Sequence, residues 1–148
     1  YGLRAGVYEG VRERVTELAR RSGRPIVVIG WSLGGLYARE IAKLMPEAVA
    51  RVITLGSPFS GDIRANRAWR LYERIAGHSV ETPPIAVQLS AKPPQTTYAF
   101  WCRGDGIVSS DSSCGLEGQA DMAIEVECSH LGFVCSPTAI EAVLKAIA

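Results

Sequence analysis

The chain has 148 residues, 47% of them hydrophobic and 21% charged, which is enough apolar material for one globular domain and short for two. Its 16 basic and 15 acidic residues give a formal net charge of +1, so the charge balance argues against a nucleic-acid partner or an acidic membrane surface. No apolar run approaches the roughly 18 residues that cross a bilayer, and we therefore expect one soluble domain over residues 1–148.

The first predicted element is an amphipathic helix that ends near Ser22 and Gly23. Before that point, apolar residues recur every three or four positions among Glu and Arg, at Val7, Val11, Val15 and Leu18. Such a helix has to bury its apolar side, and a sheet is the expected partner.

Four short apolar runs predict strands, at residues 26–29, 51–55, 97–101 and 123–127. The first run, Ile-Val-Val-Ile, is apolar on both faces, which is typical of an inner parallel strand covered by helices. Helical spacing follows it as far as Pro46, and a last helix is predicted from Pro137 to Ile147. Strands that alternate with helices indicate a three-layer α/β fold with a mostly parallel sheet.

The turn after the first strand carries a candidate nucleophile. Gly30-Trp31-Ser32-Leu33-Gly34 fits the pattern G-x-S-x-G, in which a serine lies on a strained strand-to-helix turn with its hydroxyl raised above the sheet. We expect the two glycines to let the neighbouring backbone pass without Cβ clashes. The backbone N–H of Leu33 is the expected oxyanion donor. The alternative is a glycine-rich turn that only packs a helix on a strand.

A serine nucleophile needs a histidine base, and the chain has two histidines. His78 lies in a polar connection, whereas His130 follows the fourth predicted strand, at the same sheet edge as Ser32. Asp105, just past the third predicted strand, is the preferred carboxylate to orient the base, and Asp111 competes with it. As alternatives, Asp105 is an ordinary turn residue and His130 a loop histidine.

These motifs resemble those of bacterial α/β-hydrolases of the esterase/lipase type, from about Pro25 to the C-terminus. The stretches that carry the resemblance are Gly30-Trp31-Ser32-Leu33-Gly34-Gly35, Leu55-Gly56-Ser57-Pro58-Phe59, Arg103-Gly104-Asp105-Gly106-Ile107-Val108 and Ser129-His130-Leu131-Gly132. The resemblance implies Ser32 as nucleophile, Asp105 as acid and His130 as base. It also implies cleavage of carboxylic esters, from small molecules or lipids, through an acyl-enzyme without a cofactor.

The sequence departs from that family before Pro25. Only 24 residues precede this proline, whereas the family places further strands there, together with a loop that gives the second oxyanion donor. We therefore expect a truncated α/β-hydrolase fold in which the nucleophile strand can become a sheet edge. Self-association through that edge is the favoured consequence. The alternatives are cover by the N-terminal segment, or a fragment with little activity.

Two further regions bear on function. Residues 61–95 include a partly amphipathic, arginine-rich helix that is interpreted as a cap over the substrate, or otherwise as an ordinary packing helix. Four cysteines flank the candidate acid and base, at positions 102, 114, 128 and 135. One or two disulfides would staple these loops, free thiols are the alternative, and the irregular spacing disfavours a zinc site.

The same triad also serves acyltransferases and thioesterases, and a non-catalytic remnant of the fold is a third hypothesis. The resemblance to bacterial enzymes favours the cytoplasm, whereas paired cysteines would favour secretion. The sequence leaves acyl length, alcohol and compartment open.

Overall fold

The computed structural model of the protein describes residues 5–61 and 88–148. Nine helices and strands lie in these two stretches. In chain order they are α1 (Ala5–Ser22), β1 (Ile26–Trp31), α2 (Leu33–Leu44), β2 (Val49–Leu55), β3 (Thr96–Trp101), α3 (Ser110–Cys114), β4 (Met122–Glu125), α4 (Gly132–Cys135) and α5 (Pro137–Ile147).

The four strands form one sheet in the order β1-β2-β3-β4, and all three neighbouring pairs are parallel. One row of the sheet runs from Gly30 through Thr54 and Ala99 to Ala123. Because the strands are parallel and in register, their carboxyl ends meet at one edge. The predicted parallel sheet is confirmed.

Helices cover both faces of the sheet. On one face, Val15 of α1 and Ile41 of α2 pack with Val52 of β2. On the other, Ile53 and Phe100 form a core together with Ala139 and Val143 of α5. Successive β2 residues therefore face opposite layers, as the two-residue period of a strand requires. The three-layer α/β architecture predicted from the sequence is confirmed.

The outer position of β1 differs from the inner strand that its apolar run predicts, and it agrees with the sheet edge that the departure from the family before Pro25 leads us to expect. Within residues 5–61 and 88–148, β1 pairs with β2 alone. Ile29 is 44% exposed as a result, although its neighbour Gly30 is buried. Apolar residues on both faces of β1 thus indicate that the strand can be buried, but they do not determine which strands lie beside it.

Arg39 of α2 connects the nucleophile helix with the chain that leads into β3. Its side chain is fully buried and donates hydrogen bonds to the backbone carbonyls of Leu89, Ser90, Ala91 and Gln119. The guanidinium also lies 4.1 Å from the centre of the Phe59 ring. Burial lowers the pKa of Arg39 to about 10. A charged residue in a helix is ordinarily expected to face solvent. The side chain of Arg39 instead anchors residues 88–91 to α2.

Residues 62–87 lie outside the described part of the chain, and so do most of the predicted cap and His78. Of the segment assigned to the cap, Leu89 is buried and packs with Leu36 and Phe59. No helix in the described ranges is both long and apolar enough to span a lipid bilayer.

Candidate active site

Ser32 occupies the turn between β1 and α2 in a strained backbone conformation. Its φ of 53° and ψ of −123° make it the one non-glycine residue with positive φ in the described ranges. The turn is fixed on both sides, because the Ser32 N–H donates to the Leu55 carbonyl and the Ser32 carbonyl accepts from the Gly35 N–H. The side chain of Ser32 does not cap α2. Ser32 therefore lies at the carboxyl edge of the sheet, directly before a helix.

The glycines around Ser32 act differently from the expectation. A Cβ on Gly30 would lie 2.3 Å from the Gly34 carbonyl oxygen, so Gly30 is required for the turn to close. A Cβ on Gly34 would meet no described atom within 4 Å, and the predicted steric need for this second glycine is wrong. The tight position is Gly35, whose Cβ would lie 2.0 Å from Ser57 Oγ. The close approach falls one residue later, where Gly35 packs against Ser57 just after β2.

Asp105 and His130 form a buried pair across the ends of β3 and β4. Asp105 Oδ2 lies 2.6 Å from His130 Nδ1, and the side chains are 0% and 7% exposed. Asp105 Oδ1 accepts hydrogen bonds from the N–H groups of Ile107 and Val108, both at 2.9 Å. The carboxylate is therefore held on both oxygens, and its contact with Nδ1 leaves Nε2 of the imidazole for another partner.

The electrostatics favour an ionised carboxylate at this pair. Burial alone would raise the pKa of Asp105, but the hydrogen bond with His130 and those from Val108 and Ile107 outweigh it. The pKa of Asp105 is consequently lower than usual. An ionised Asp105 can stabilise an imidazolium on His130, as general base chemistry requires.

Trp31 connects the serine turn with the His130 segment, and this contact was not predicted from the sequence. Its Nε1–H donates to the His130 backbone carbonyl over 2.9 Å, and the indole and imidazole centres are 5.3 Å apart. Since Trp31 directly precedes Ser32, this bond holds the His130 segment beside the serine turn. The sequence shows only that a large aromatic residue occupies the first variable position of G-x-S-x-G. It does not show which residue this aromatic contacts.

Of the remaining sequence candidates, Asp111 lies away from His130 and Leu33 lies at the serine turn. Asp111 is exposed in the first turn of α3, whereas Asp105 is the carboxylate that contacts His130. Leu33 is the first residue of α2, where backbone N–H groups have no partner within the helix and point toward the serine turn. In the described ranges, no group of three or more His, Cys, Asp or Glu side chains is arranged to hold a metal ion.

Comparison with known proteins agrees with this architecture. The profile described as "Alpha/beta hydrolase family" matches residues 1–106. The chain belongs to this family. The resemblance inferred from the motifs is thereby confirmed at the level of the family, and the α/β-hydrolase fold class with it.

Individual similarities within the α/β-hydrolases are partial. The pimeloyl-[acyl-carrier protein] methyl ester esterase of Sodalis glossinidius (strain morsitans) is 40% identical over 47 residues, which are 32% of this chain and 18% of that esterase. The esterase domain of a Rhodothermus marinus protein superposes with a TM-score of 0.67 at 22% identity, covering 96% of this chain and 67% of that domain. The Paleococcus ferrophilus monoacylglycerol lipase gives a TM-score of 0.61 at 12% identity, covering 95% of this chain and 73% of the lipase. At these identities the two structures establish the fold alone.

Proposed function

We propose that the protein is a serine hydrolase that cleaves carboxylic esters through an acyl-enzyme, with Ser32 as nucleophile, His130 as base and Asp105 as orienting acid. The observation that carries this proposal is the buried Asp105–His130 pair, 2.6 Å apart, held by Trp31 beside the strained Ser32 turn. A strained serine, a histidine and an ionised carboxylate at one sheet edge have the roles that acyl transfer needs.

The proposed reaction has two halves. Ser32 Oγ attacks the ester carbonyl while His130 Nε2 takes its proton, and His130 then protonates the departing alkoxide. Water, deprotonated by His130, then attacks the acyl-enzyme carbonyl, and His130 returns the proton to Ser32 Oγ as the acid is released. Asp105 stays ionised and stabilises the imidazolium in both halves, since its two oxygens remain hydrogen bonded.

The developing oxyanion is expected at the N-terminus of α2. The Leu33 N–H follows the nucleophile, and the positive end of the helix dipole favours negative charge at this place. We infer small-molecule esters or lipids as the substrates. Thioesters and acyl acceptors other than water use the same acyl-enzyme, so they are tested alongside esters.

Self-association through the outer edge of β1 remains part of the proposal. β1 pairs with one described strand, and Ile29 exposes 44% of its surface. Pairing with β1 of a second copy would satisfy the open backbone groups and cover this apolar side chain.

Hydrolysis of p-nitrophenyl butyrate tests the proposed function. We expect Ser32→Ala and His130→Ala to lower kcat by about 10⁴-fold or more, and Asp105→Asn by up to about 10⁴-fold. Asp111→Asn is the matched control for the carboxylate, because Asp111 is exposed on α3, and it should keep wild-type kcat. Equal activity of wild type and Ser32→Ala would overturn the proposal.

A further inference from the structure

Two of the four cysteines lie in the segments that carry Asp105 and His130. Cys102 directly follows β3 and precedes Asp105 by three positions, while Cys128 lies between β4 and His130, two positions before the histidine. The two segments are neighbours, because β3 and β4 are paired in the sheet. These cysteines therefore stand where a cross-link would join the acid segment to the base segment.

The side chain of Cys102 is in direct contact with Cys128. Cys102 is 2% exposed, and its Sγ–H donates to the backbone carbonyl of Cys128. A Cβ placed on Gly104 would lie 3.6 Å from Cys102 Sγ and 3.1 Å from the Cys128 carbonyl oxygen. The segments after β3 and β4 are therefore tightly packed against each other at this point. Both residues also belong to the apolar core under α5. The contact is thus part of the core and not a chance surface approach.

The raised pKa of the Cys128 thiol agrees with its proximity to Cys102. Burial raises the pKa of Cys128 to about 12, and the neighbouring Cys102 thiol is the next largest cause, followed by Asp105 and Cys135. Only groups a short distance away act this strongly on one another. The Cys102 thiol is therefore a near neighbour of Cys128, in agreement with the contact between its Sγ and the Cys128 carbonyl.

We propose that Cys102 and Cys128 form a disulfide that ties the Asp105 segment to the His130 segment. A low-molecular-weight disulfide such as oxidised glutathione serves as oxidant. In the refolding chain, before burial raises the pKa of Cys128, the thiolate of one of the two cysteines attacks it, forming a mixed disulfide and releasing one glutathione thiol; the other cysteine then displaces the second glutathione thiol. Two electrons pass to the glutathione disulfide, and the two protons of the cysteines end on the two glutathione thiols.

Cys135 is the competing partner, and the structure favours Cys102 over it. Cys135 is exposed on α4, its Sγ–H donates to the Leu131 carbonyl at 3.2 Å, and it affects the pKa of Cys128 less than Cys102 does. Cys114, on α3, makes its thiol contacts within its own helix and turn. A bond from Cys128 to Cys135 would also stay within one segment, whereas a bond to Cys102 joins two strands.

The cross-link closes residues 102–128 into a loop, which restricts the unfolded chain more than the folded one. We expect the oxidised protein to melt at least about 5 °C above the reduced protein. This consequence is independent of the proposed hydrolase activity, because it concerns only the ends of β3 and β4.

The test is to refold the reduced full chain in a glutathione redox buffer and to map disulfides by mass spectrometry of the non-reduced digest. Refolding makes the result independent of thiol burial in the folded state. We expect a peptide joined through Cys102 and Cys128, with a mass lower by two hydrogen atoms than the two separate thiol peptides. It should also form in the controls Cys114→Ser and Cys135→Ser. It should be lost in Cys102→Ser and Cys128→Ser, together with the gain in Tm on oxidation.

A bond from Cys128 to Cys135 in the wild type would overturn the proposal. Alkylation of both Cys102 and Cys128 after refolding in the oxidising buffer would overturn it equally.

Discussion

The Trp31 indole N–H donates to the backbone carbonyl of His130 over 2.9 Å, although the two residues are ninety-nine positions apart. Their rings are tilted by 38° with centres 5.3 Å apart. The bond joins the residue before the candidate nucleophile to the candidate base. The geometry of the serine turn and that of the histidine segment are therefore coupled through one side chain.

This coupling predicts a graded response to substitution of Trp31. Trp31→Phe keeps a ring against His130 but loses the hydrogen bond, and kcat/KM should fall about 2- to 10-fold, as expected for one neutral hydrogen bond of about 0.5–1.5 kcal/mol. Trp31→Ala also loses the ring contact and should cost about 10²-fold by misplacing His130. Both kcat and KM are measured with each variant, because misplacement of His130 should lower kcat and leave KM nearly unchanged. Wild-type kcat/KM in Trp31→Phe would contradict the assigned role of the N–H, and equal effects of the two variants would contradict the role of the ring contact.

The serine turn predicts opposite outcomes for its two motif glycines. Gly30→Ala places a Cβ 2.3 Å from the Gly34 carbonyl oxygen, so the turn has to open and soluble, active protein should be lost. Gly34→Ala is the matched control, because its Cβ meets no described atom within 4 Å and the position lies in α2, where alanine is favoured. Thermal unfolding and ester hydrolysis of both variants check this. A Gly34→Ala variant as impaired as Gly30→Ala would contradict it.

The lowered pKa of Asp105 predicts how stability depends on pH. A carboxyl whose pKa is lower in the folded than in the unfolded chain stabilises the folded state at pH values above its unfolded-state pKa, here 3.8. This stabilisation is lost as the pH falls through the folded-state pKa. The free energy of unfolding of wild type should therefore exceed that of Asp105→Asn above about pH 5, and the difference should shrink on acidification. Urea unfolding across this range measures it. A difference that does not change with pH would show that Asp105 is not held as an ionised group.

The open edge of β1 predicts self-association. In sedimentation velocity, the wild type should form a concentration-dependent dimer, and Ile29→Lys should shift it to monomer, because an edge lysine opposes strand pairing. Val7→Lys on α1 is the control, since Val7 is exposed to a similar degree, at 47%, and is not part of the β1 edge. A wild type that is monomeric at all concentrations would contradict the prediction.

Much of the fold could be predicted from the sequence because its signals are local. The β-branched run of β1 predicts a strand, and the helical spacing of α5 predicts a helix, without reference to the rest of the chain. The helix α5 has the predicted bounds of Pro137 and Ile147. The short helices α3 and α4 were not predicted, because four or five residues do not complete two turns of a periodic pattern. The outer position of β1 depends on which strands pair, and its own residues do not encode that.

The candidate site shows the same division. Ser32, Asp105 and His130 were chosen as candidates because the predicted strand order brings their loops to one edge, and the structure places Asp105 in contact with His130. The contacts of Trp31 and of the buried Arg39 were not predicted. Their hydrogen-bond partners are 50 or more positions away, and a local pattern does not contain them.

The most direct test of the account is covalent trapping of the nucleophile by a fluorophosphonate, followed by peptide mapping. We predict a single adduct on Ser32 that forms quickly in the wild type and at least about 10³-fold more slowly in His130→Ala, because the imidazole takes the serine proton. Labelling of another serine, or equal rates in wild type and His130→Ala, would contradict the assignment of Ser32 and His130 as a catalytic pair.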